Sequence, residues 1–332
     1  MIDEKLGFSL WLDFIERDHL QREFGRLVEE GIINGATSNP SIFANSIETS
    51  VAYTAQLDRL QNHSAKAKYE ALAKEDIRTA AETLESLYRD GRDGFVSIEV
   101  DPFLCDDTEG TIEEGRRLYR EIGMENVMIK VPATEAGYEA MKTLMSEGHH
   151  VNATLIFSPM QALRCIEAMQ EGLKIWRATG DGKDVRGVLS VFVSRFDRML
   201  DEKLLERGIE PGRVGIMNAA KIYNLVESKQ DPAIRTLFAS TGVKGDAYPA
   251  DYYIKELMAP HSVNTAPLAT IEAFVENPDH TPKLPIDDEK IEEFFASVEE
   301  KGIDMNEVYD TLLHDGLKAF KEAFATLLAH LE

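Results

Sequence analysis

Three ionisable residues stand at the ends of apolar runs, where a charge loses its hydration. Asp13 ends the run SLWLD, Glu99 lies within VSIEV, and Lys130 interrupts NVMIKVP. A charge inside an apolar strand must be paired or must change its protonation state. One such residue would fit an ordinary edge-strand charge. Three of mixed sign on separate strands predict one shared polar site.

Lys130 has the most specific chemical implication, because it lies between Val127–Ile129 and Val131. Burial of an amine favours its neutral form, and a neutral amine attacks a carbonyl carbon to form a Schiff base. Forming and hydrolysing that imine moves several protons, so an acid–base group must accompany the lysine. Glu99 and Asp13 are the candidates. The alternative interpretation is a structural ion pair between Lys130 and one of these acids.

Two further stretches carry polar side chains beside apolar runs. In GATSNPSIF, residues 35–43, Asn39 precedes Pro40 and is driven towards an extended backbone that suits a strand-to-helix corner. In HVNATLIF, Asn152 and Thr154 are two apart and therefore face the same side of a strand. The side chains of Asn152 and Thr154 are candidates for holding sugar hydroxyls or a water. The alternative in both places is capping of the next helix.

Late in the chain, two segments combine serine with a cation after an apolar run. SVFVSR ends at Arg195, and ASTGVK contains Ser240 and ends at Lys244. Backbone amides and cations after late barrel strands are typical of a phosphate site, although Arg195 alone would also fit a solvated helix residue. The sequence has no GxGxxG after a strand, no Walker-type loop, no HExxH and no CxxC. It therefore predicts neither a dinucleotide site nor a metal site.

The elements that must position these groups alternate between short apolar runs and amphipathic stretches. The runs are rich in Val, Ile, Leu and Phe without strict alternation, which is typical of strands buried on both faces. Eight strands are predicted: Ser9–Asp13, Ile32–Thr37, Gly94–Val100, Asn126–Pro132, His150–Thr154, Gly187–Val193, Thr236–Ser240 and Ser262–Asn264. Alternation with helices indicates a parallel sheet, and eight strands favour a (β/α)8 TIM barrel of the α/β class. A doubly wound open sheet is the alternative.

Helix starts and the C-terminal region complete this organisation. Ser158 before Pro159 predicts a helix start, and Thr108 is the expected N-cap of a helix over Thr108–Ile122. Residues 283–332 are acidic and helical in pattern, which predicts two or three additional helices packed on the barrel. Residues 277–285 carry three prolines and predict a connecting segment. We expect residues 1–332 to form one barrel domain with 283–332 as its helical extension.

The charge balance restricts the partners. Thirty-six Lys and Arg against 59 Asp and Glu give a net charge of −23. This field repels nucleic acid and anionic lipid, so an anionic ligand needs a local cationic pocket. Two cysteines are too few for a disulfide framework, the amino-terminal segment does not resemble a signal peptide, and no apolar run is long enough to span a bilayer. A cytoplasmic enzyme is expected.

At the level of motifs, the sequence resembles the transaldolase family. GATSNPSIF and NVMIKVPATEAGYEAM are similar to its two signatures, and VSIEVD, NATLIFSPMQA and LSVFVSRFDRMLD follow in the family's order. The resemblance runs from about Ser9 to Phe274 and is greatest to the longer bacterial branch. It implies a (β/α)8 barrel that needs no metal or cofactor. It also implies transfer of a dihydroxyacetone unit in the pentose phosphate pathway, so that sedoheptulose 7-phosphate and glyceraldehyde 3-phosphate give erythrose 4-phosphate and fructose 6-phosphate.

The resemblance also implies roles for individual residues. Lys130 resembles the imine-forming lysine, Glu99 an acid–base group that works through a water held with Thr154, and Asp13 the group that takes the substrate hydroxyl proton. The residues expected to bind substrate are Asn39, Asn152, Ser190, Phe192, Arg195 and Ser240. Gly242 stands where other branches have a phosphate-binding arginine, and Lys244 is the expected substitute, although it lacks a bidentate guanidinium.

Two other functions stay open at this level. A fructose 6-phosphate aldolase of the same fold would release free dihydroxyacetone instead of transferring it. A non-catalytic protein would bind sugar phosphates without turnover, although intact Asp13, Glu99 and Lys130 argue against it. A monomer or a homodimer fits the sequence equally well.

Overall fold

Eight parallel strands close into a barrel in the computed structural model, which describes residues 3–180 and 182–332. The strands run in chain order around the barrel: β1 Phe8–Leu12, β2 Gly35–Ala36, β3 Phe95–Glu99, β4 Val127–Pro132, β5 His150–Ile156, β6 Gly187–Phe192, β7 Ile234–Ala239 and β8 Ser262–Ala266. The last strand pairs with the first from Phe8 opposite Ser262 to Leu12 opposite Ala266. The predicted (β/α)8 barrel is confirmed, and the open-sheet alternative is wrong because β1 and β8 close the sheet.

Seven of the eight strands differ in length from their predicted ranges, and three of these differences have a visible cause in the backbone. β2 has two residues instead of six, because the amides of Ile32 and Ile33 bond back to the carbonyl of Leu27 and close the preceding helix. β8 continues to Ala266, since β1 supplies partners for its last residues. β5 continues to Ile156 through Leu155, which takes a positive φ of 58° at an irregularity in the pairing with β6.

Helices follow the strands around the outside of the barrel. Their bounds are α1 Arg17–His19, α2 Gly25–Glu29, α3 Pro40–Thr49, α4 Thr54–Arg59, α5 Ala65–Arg89, α6 Thr108–Ile122, α7 Glu135–Ser146, α8 Pro159–Thr179, α9 Ser194–Leu205, α10 Val214–Ser228, α11 Tyr252–Glu256, α12 Leu268–Glu276, α13 Asp288–Glu300 and α14 Met305–Leu331. A π-helical stretch, Leu20–Phe24, joins the first two, and Val51–Tyr53 and Pro102–Leu104 are 3₁₀ turns. None of the helices in the described ranges is long and apolar enough to cross a membrane.

The helix starts show one confirmed prediction and one error. Ser158 caps α8 in a capping box, accepting from the Gln161 amide while the Gln161 side chain accepts from the Ser158 amide. The N-cap of α6 is Asp107, whose Oδ1 accepts from Gly110 N at 3.0 Å, and not Thr108. Thr108 instead lies in the first turn and donates its hydroxyl to the carbonyl of Ala136.

A polar contact closes the amino end of the barrel. Asp93, just before β3, accepts from the Trp11 indole at 2.8 Å and from Arg235 Nη2 at 2.6 Å. The Trp11 ring is fully buried, and a Cβ on the neighbouring Gly35 would lie 2.5 Å from its Nε1. Glycine is therefore required at Gly35 for the ring to fit.

The C-terminal region contains the expected additional helices, α13 and α14. The long helix α14 packs against α3 and α5 and contacts β5 and the first residues after β3. Its end is tied to α5, because the buried amine of Lys68 donates to the carbonyl of Leu331 at 2.6 Å. Through this path α14 reaches the carboxyl ends of the barrel strands, where Phe320 lines a pocket.

Candidate active site

A pocket of about 260 Å³ opens at the carboxyl ends of the strands. Eight residues predicted from the sequence line it: Asp13, Asn39, Lys130, Ser190, Phe192, Arg195, Ser240 and Lys244. Its other lining residues are Thr37, Ser41, Arg198, Ala239, Thr265 and Phe320. The predicted Glu99, Asn152 and Thr154 are buried and do not line this pocket, and Glu99 and Asn152 lie opposite Lys130 on the neighbouring strands.

Lys130 is held at the base of the pocket by β4. The strand register sets it opposite Glu99 on β3 and Asn152 on β5, so the three side chains share one face of the sheet. Its Nζ lies 3.6 Å from Glu99 Oε2 and donates to the carbonyl of Ser38 at 3.1 Å. With 5% of its surface exposed, Lys130 is shielded from bulk water yet open to the pocket.

The Glu99 carboxyl is the buried partner of this lysine. Burial raises the pKa of Glu99 to about 7, although the Lys130 charge opposes the rise. A carboxyl with this pKa exchanges its proton readily near neutrality. Glu99 Oε2 and Thr154 Oγ1 are both buried, and neither makes a hydrogen bond within the part of the chain that the structure describes. Both atoms therefore have unused hydrogen-bonding capacity.

Asp13 follows β1 directly and faces the same pocket. Burial raises its pKa, whereas the Lys130 charge and a hydrogen bond from Thr37 lower it. The Thr37 hydroxyl lies 2.6 Å from Asp13 Oδ1 and 2.6 Å from the hydroxyl of Thr265 on β8. Residues from β1, the end of β2 and β8 thus hold the carboxylate in place. The structure brings together the three ionisable residues that the sequence placed on separate strands.

The two predicted asparagines differ in how far their amides are already used. Asn152 is fully buried: its Nδ2 donates to Ser97 Oγ at 3.0 Å, and its Oδ1 accepts from Ser190 Oγ at 2.7 Å. Asn39 lines the pocket and caps α3 through its Oδ1, which accepts from Ile42 N at 3.1 Å. The helix-capping alternative therefore applies to Asn39, in addition to its position in the pocket.

Cations gather at the outer side of the pocket. Arg195 lies in the first turn of α9 with its guanidinium 5.1 Å from the centre of the Phe192 ring. Burial lowers the pKa of Arg195, and the charge of Arg198 lowers it further. Within the described ranges, Arg195, Arg198 and Lys244 have no acidic side chain within 4.0 Å. Unpaired cations in one pocket of a strongly acidic chain create a locally positive potential.

Ser240 completes this group from the end of β7. It adopts a positive φ of 56°, and its hydroxyl lies 3.0 Å from that of Ser194 at the start of α9. A non-glycine residue with positive φ is uncommon and clusters at functional sites. The contact places the end of β7 against the amino terminus of α9.

Six lining residues were not singled out individually from the sequence, and one of them, Ala239, belongs to the ASTGVK stretch. Thr37 and Ser41 belong to the GATSNPSIF stretch, and Arg198 follows Arg195 at helical spacing, so the pattern contained a signal for these three. Thr265 belongs to an extension of β8 that was not predicted. No local pattern predicts Phe320 as a lining residue, because an aromatic residue on an amphipathic helix is expected to pack in the core.

Among residues 3–180 and 182–332, no three His, Cys, Asp or Glu side chains come together in a way that would hold a metal ion. The cofactor-free reaction remains a prediction from the sequence.

Fold and site together define a (β/α)8 barrel with a buried lysine–carboxylate pair at the end where barrel enzymes carry their catalytic groups. A family model described as "Transaldolase/Fructose-6-phosphate aldolase" matches residues 10–331. A Campylobacter jejuni protein (strain RM1221) named Transaldolase is 46% identical over 331 residues, covering 98% of this chain and 99% of that protein. A Helicobacter pylori protein (strain 26695) with the same name is 40% identical over 324 residues, covering 97% and 98%. The chain belongs to the transaldolase/fructose-6-phosphate aldolase family.

Proposed function

We propose that the protein is a transaldolase that moves a dihydroxyacetone unit from sedoheptulose 7-phosphate to glyceraldehyde 3-phosphate. The products are erythrose 4-phosphate and fructose 6-phosphate. The observation that carries the proposal is the buried pair of Lys130 and Glu99, 3.6 Å apart at the base of a pocket that also contains Asp13. Membership of the family and the names of its relatives support the same activity.

The first chemical step is attack of the neutral Lys130 amine on the C2 carbonyl of the ketose. The carbinolamine then loses water and becomes an imine. Glu99 takes a proton from the attacking amine and returns one to the departing hydroxyl. Its pKa of about 7 suits transfer in both directions. The unused oxygens of Glu99 and Thr154 support transfer through a bridging water.

Asp13 performs the cleavage step. Its carboxylate takes the proton of the C4 hydroxyl, the C3–C4 bond breaks, and its electrons move into the protonated imine. The aldose product leaves with its new carbonyl, while the three-carbon carbanion stays bound to Lys130. An acceptor aldehyde then enters and the steps reverse, which gives ping-pong kinetics.

Substrate recognition falls to the polar side chains around this centre. Asn39, Asn152 and Ser190 are proposed to bind donor hydroxyls, with Phe192 lining the donor site. Asn152 would do so with limited freedom, because its amide already bonds Ser97 and Ser190.

The phosphate group is proposed to bind Arg195, Ser240 and Lys244, with Arg198 beside them. Support comes from the concentration of unpaired cations at this side of the pocket. Gly242 leaves little room for a larger residue, since a Cβ there would lie 3.1 Å from the Pro267 ring. This crowding fits a phosphate site that uses other cations instead of an arginine at that position.

The test uses Lys130→Met. We expect loss of turnover with unchanged circular dichroism and an unfolding midpoint close to that of the wild type. Lys68→Met is the matched control, because Lys68 is also buried but bonds the Leu331 carbonyl on the outside of the barrel. Full activity in Lys130→Met would refute the proposal.

Product analysis separates the alternatives. The wild-type protein should form erythrose 4-phosphate from sedoheptulose 7-phosphate continuously only when an acceptor aldehyde is present. Sustained release of free dihydroxyacetone without acceptor would indicate a fructose 6-phosphate aldolase. Sugar-phosphate binding without any turnover would indicate a binding protein.

We further propose a cytoplasmic protein that acts on sugar phosphates as a monomer or a homodimer, without nucleic acid or membrane partners. The net charge of −23 supports the exclusion of polyanionic partners. Cys105 and Cys165 are both buried free thiols, which fits a reducing compartment.

A further inference from the structure

The proposed phosphate site is built from two separate segments. Helix α9 supplies Arg195 and Arg198, whereas the segment after β7 supplies Ser240 and Lys244. Residues 240–251 contain neither helix nor strand, so backbone hydrogen bonds of regular structure do not fix this segment. The distance between the two sets of ligands therefore depends on what holds residues 240–251 against α9.

Two aspartates on α9 make that connection. Asp197 and Asp201 are four residues apart and share one face of the helix. Asp197 Oδ2 accepts from the Tyr253 hydroxyl at 2.7 Å, and Asp201 Oδ2 accepts from the Tyr248 hydroxyl at 2.8 Å. Tyr248 lies within the segment that carries Ser240 and Lys244, and Tyr253 lies in α11, which follows that segment directly. We call these four residues the acid–tyrosine clasp.

The second carboxylate oxygen of each aspartate accepts a hydrogen bond from the start of α10 or from the residues just before it. Asp197 Oδ1 accepts from Gly215 N at 2.9 Å, and Asp201 Oδ1 accepts from Gly212 N at 2.7 Å. A Cβ at Gly212 would lie 2.7 Å from the Tyr248 ring, and one at Gly215 would lie 2.4 Å from the Val193 carbonyl. These close approaches leave the aspartates little room to move, so each carboxylate is held at both of its oxygens.

Burial of the Asp197 carboxylate costs free energy of desolvation that a purely structural contact would not require. Asp197 is 1% exposed and has no Lys or Arg within 4.0 Å among the described residues. Burial raises the pKa of Asp197 to about 7, while the Gly215 amide and the Tyr253 hydroxyl oppose the rise. An apolar side chain would pack at this position without that desolvation. What the carboxylates add is a directional bond across the two phosphate-binding segments.

We propose that the acid–tyrosine clasp of Asp197, Asp201, Tyr248 and Tyr253 positions the phosphate-binding residues and thereby sets the preference for phosphorylated substrates. This inference rests on the proposed function, because it assumes that Arg195 and Ser240 hold a substrate phosphate. The four residues are positioning residues, since none of them lines the pocket. They act on the affinity for the phosphate and not on the chemistry at Lys130.

The first test removes one hydroxyl at a time, in Tyr253→Phe and Tyr248→Phe. The KM for glyceraldehyde 3-phosphate should rise by about three- to tenfold, the effect of losing one ordinary hydrogen bond. The kcat should stay within about twofold, and the KM for unphosphorylated glyceraldehyde should not change. Tyr223→Phe is the matched control, because its hydroxyl donates to the Pro260 carbonyl at 2.9 Å, away from α9.

The comparison of the KM values for phosphorylated and unphosphorylated glyceraldehyde distinguishes a positioning role from a merely structural one. A merely structural role would raise both KM values together or lower kcat, and either result would overturn the proposal. Unchanged kinetics in both folded variants would overturn it as well. If Tyr253→Phe fails to fold, the half-buried Tyr248 still provides the test.

A binding measurement separates this proposal from the function it rests on. Calorimetric titration with inorganic phosphate needs no turnover and should show weaker binding in both variants than in the wild type and Tyr223→Phe. Weaker phosphate binding in a protein with no transaldolase activity would refute the proposed function and support the clasp. Normal wild-type activity with equal phosphate binding in all four proteins would refute the clasp alone.

Discussion

Replacing Glu99 by Gln removes the buried carboxyl that lies 3.6 Å from Lys130 Nζ while keeping its shape. Burial raises the pKa of Glu99 from 4.5 to about 7, which corresponds to about 3 kcal/mol against the charged form. The carboxylate therefore forms only as the pH rises through about 7. Because the carboxylate must take the proton from the attacking amine, kcat/KM should rise with pH across that range and level off above it. In Glu99→Gln this rise should disappear, with kcat lower by about 10²–10⁴-fold.

The assay is the pH profile of kcat/KM for fructose 6-phosphate as donor and erythrose 4-phosphate as acceptor, with glyceraldehyde 3-phosphate formation coupled to a dehydrogenase. A substrate phosphate ionises near pH 6 and adds a change of its own, which both proteins should share. Thr154→Val is the control, because it loses the proposed water contact without losing a titrating group: its rate should fall and its profile should keep the change near pH 7. If Glu99→Gln retains that change, the assignment of the proton transfer to Glu99 is wrong.

Three other substitutions follow from single contacts. Gly137→Ala places a Cβ 2.0 Å from the Pro132 carbonyl at the end of β4, and should lower the free energy of unfolding in urea by about 3 kcal/mol; an unchanged midpoint would contradict the packing. Asp76→Asn leaves the buried guanidinium of Arg17 without its carboxylate at 2.8 Å, and should cost about 3–5 kcal/mol in the same measurement. Arg195→Gln should raise the KM for glyceraldehyde 3-phosphate by at least about tenfold and leave unphosphorylated glyceraldehyde unaffected. Equal effects on both aldehydes would remove Arg195 from the phosphate site.

The convergence of Asp13, Glu99 and Lys130 could be predicted because each follows from a local pattern. An ionisable residue ends an apolar run, and a barrel brings the carboxyl ends of its strands to one side. Confirmation of the barrel turned these three local observations into one site. The geometry within the site could not be predicted: that Lys130 Nζ is 3.6 Å from Glu99 and 3.1 Å from the Ser38 carbonyl depends on strand register.

Features that depend on contacts between distant or competing parts of the chain could not be predicted from the sequence. Phe320 reaches the pocket because α14, at the end of the chain, packs against α3 and α5 and contacts β5, and no local pattern encodes this packing. The shortness of β2 arises from competition, since the amides of Ile32 and Ile33 close a helix instead of joining the sheet. The N-cap of α6 was misplaced by one residue, because Asp107 and Thr108 are both good caps and tertiary contact with Ala136 decides between them.

The central claim is that Lys130 forms a Schiff base with a ketose phosphate. The direct test is borohydride reduction in the presence of fructose 6-phosphate, followed by intact mass and peptide mapping. The account predicts one reduced three-carbon adduct, located on Lys130 and lost in Lys130→Met but kept in Lys68→Met. An adduct on another lysine, or none on the folded wild-type protein, would contradict it.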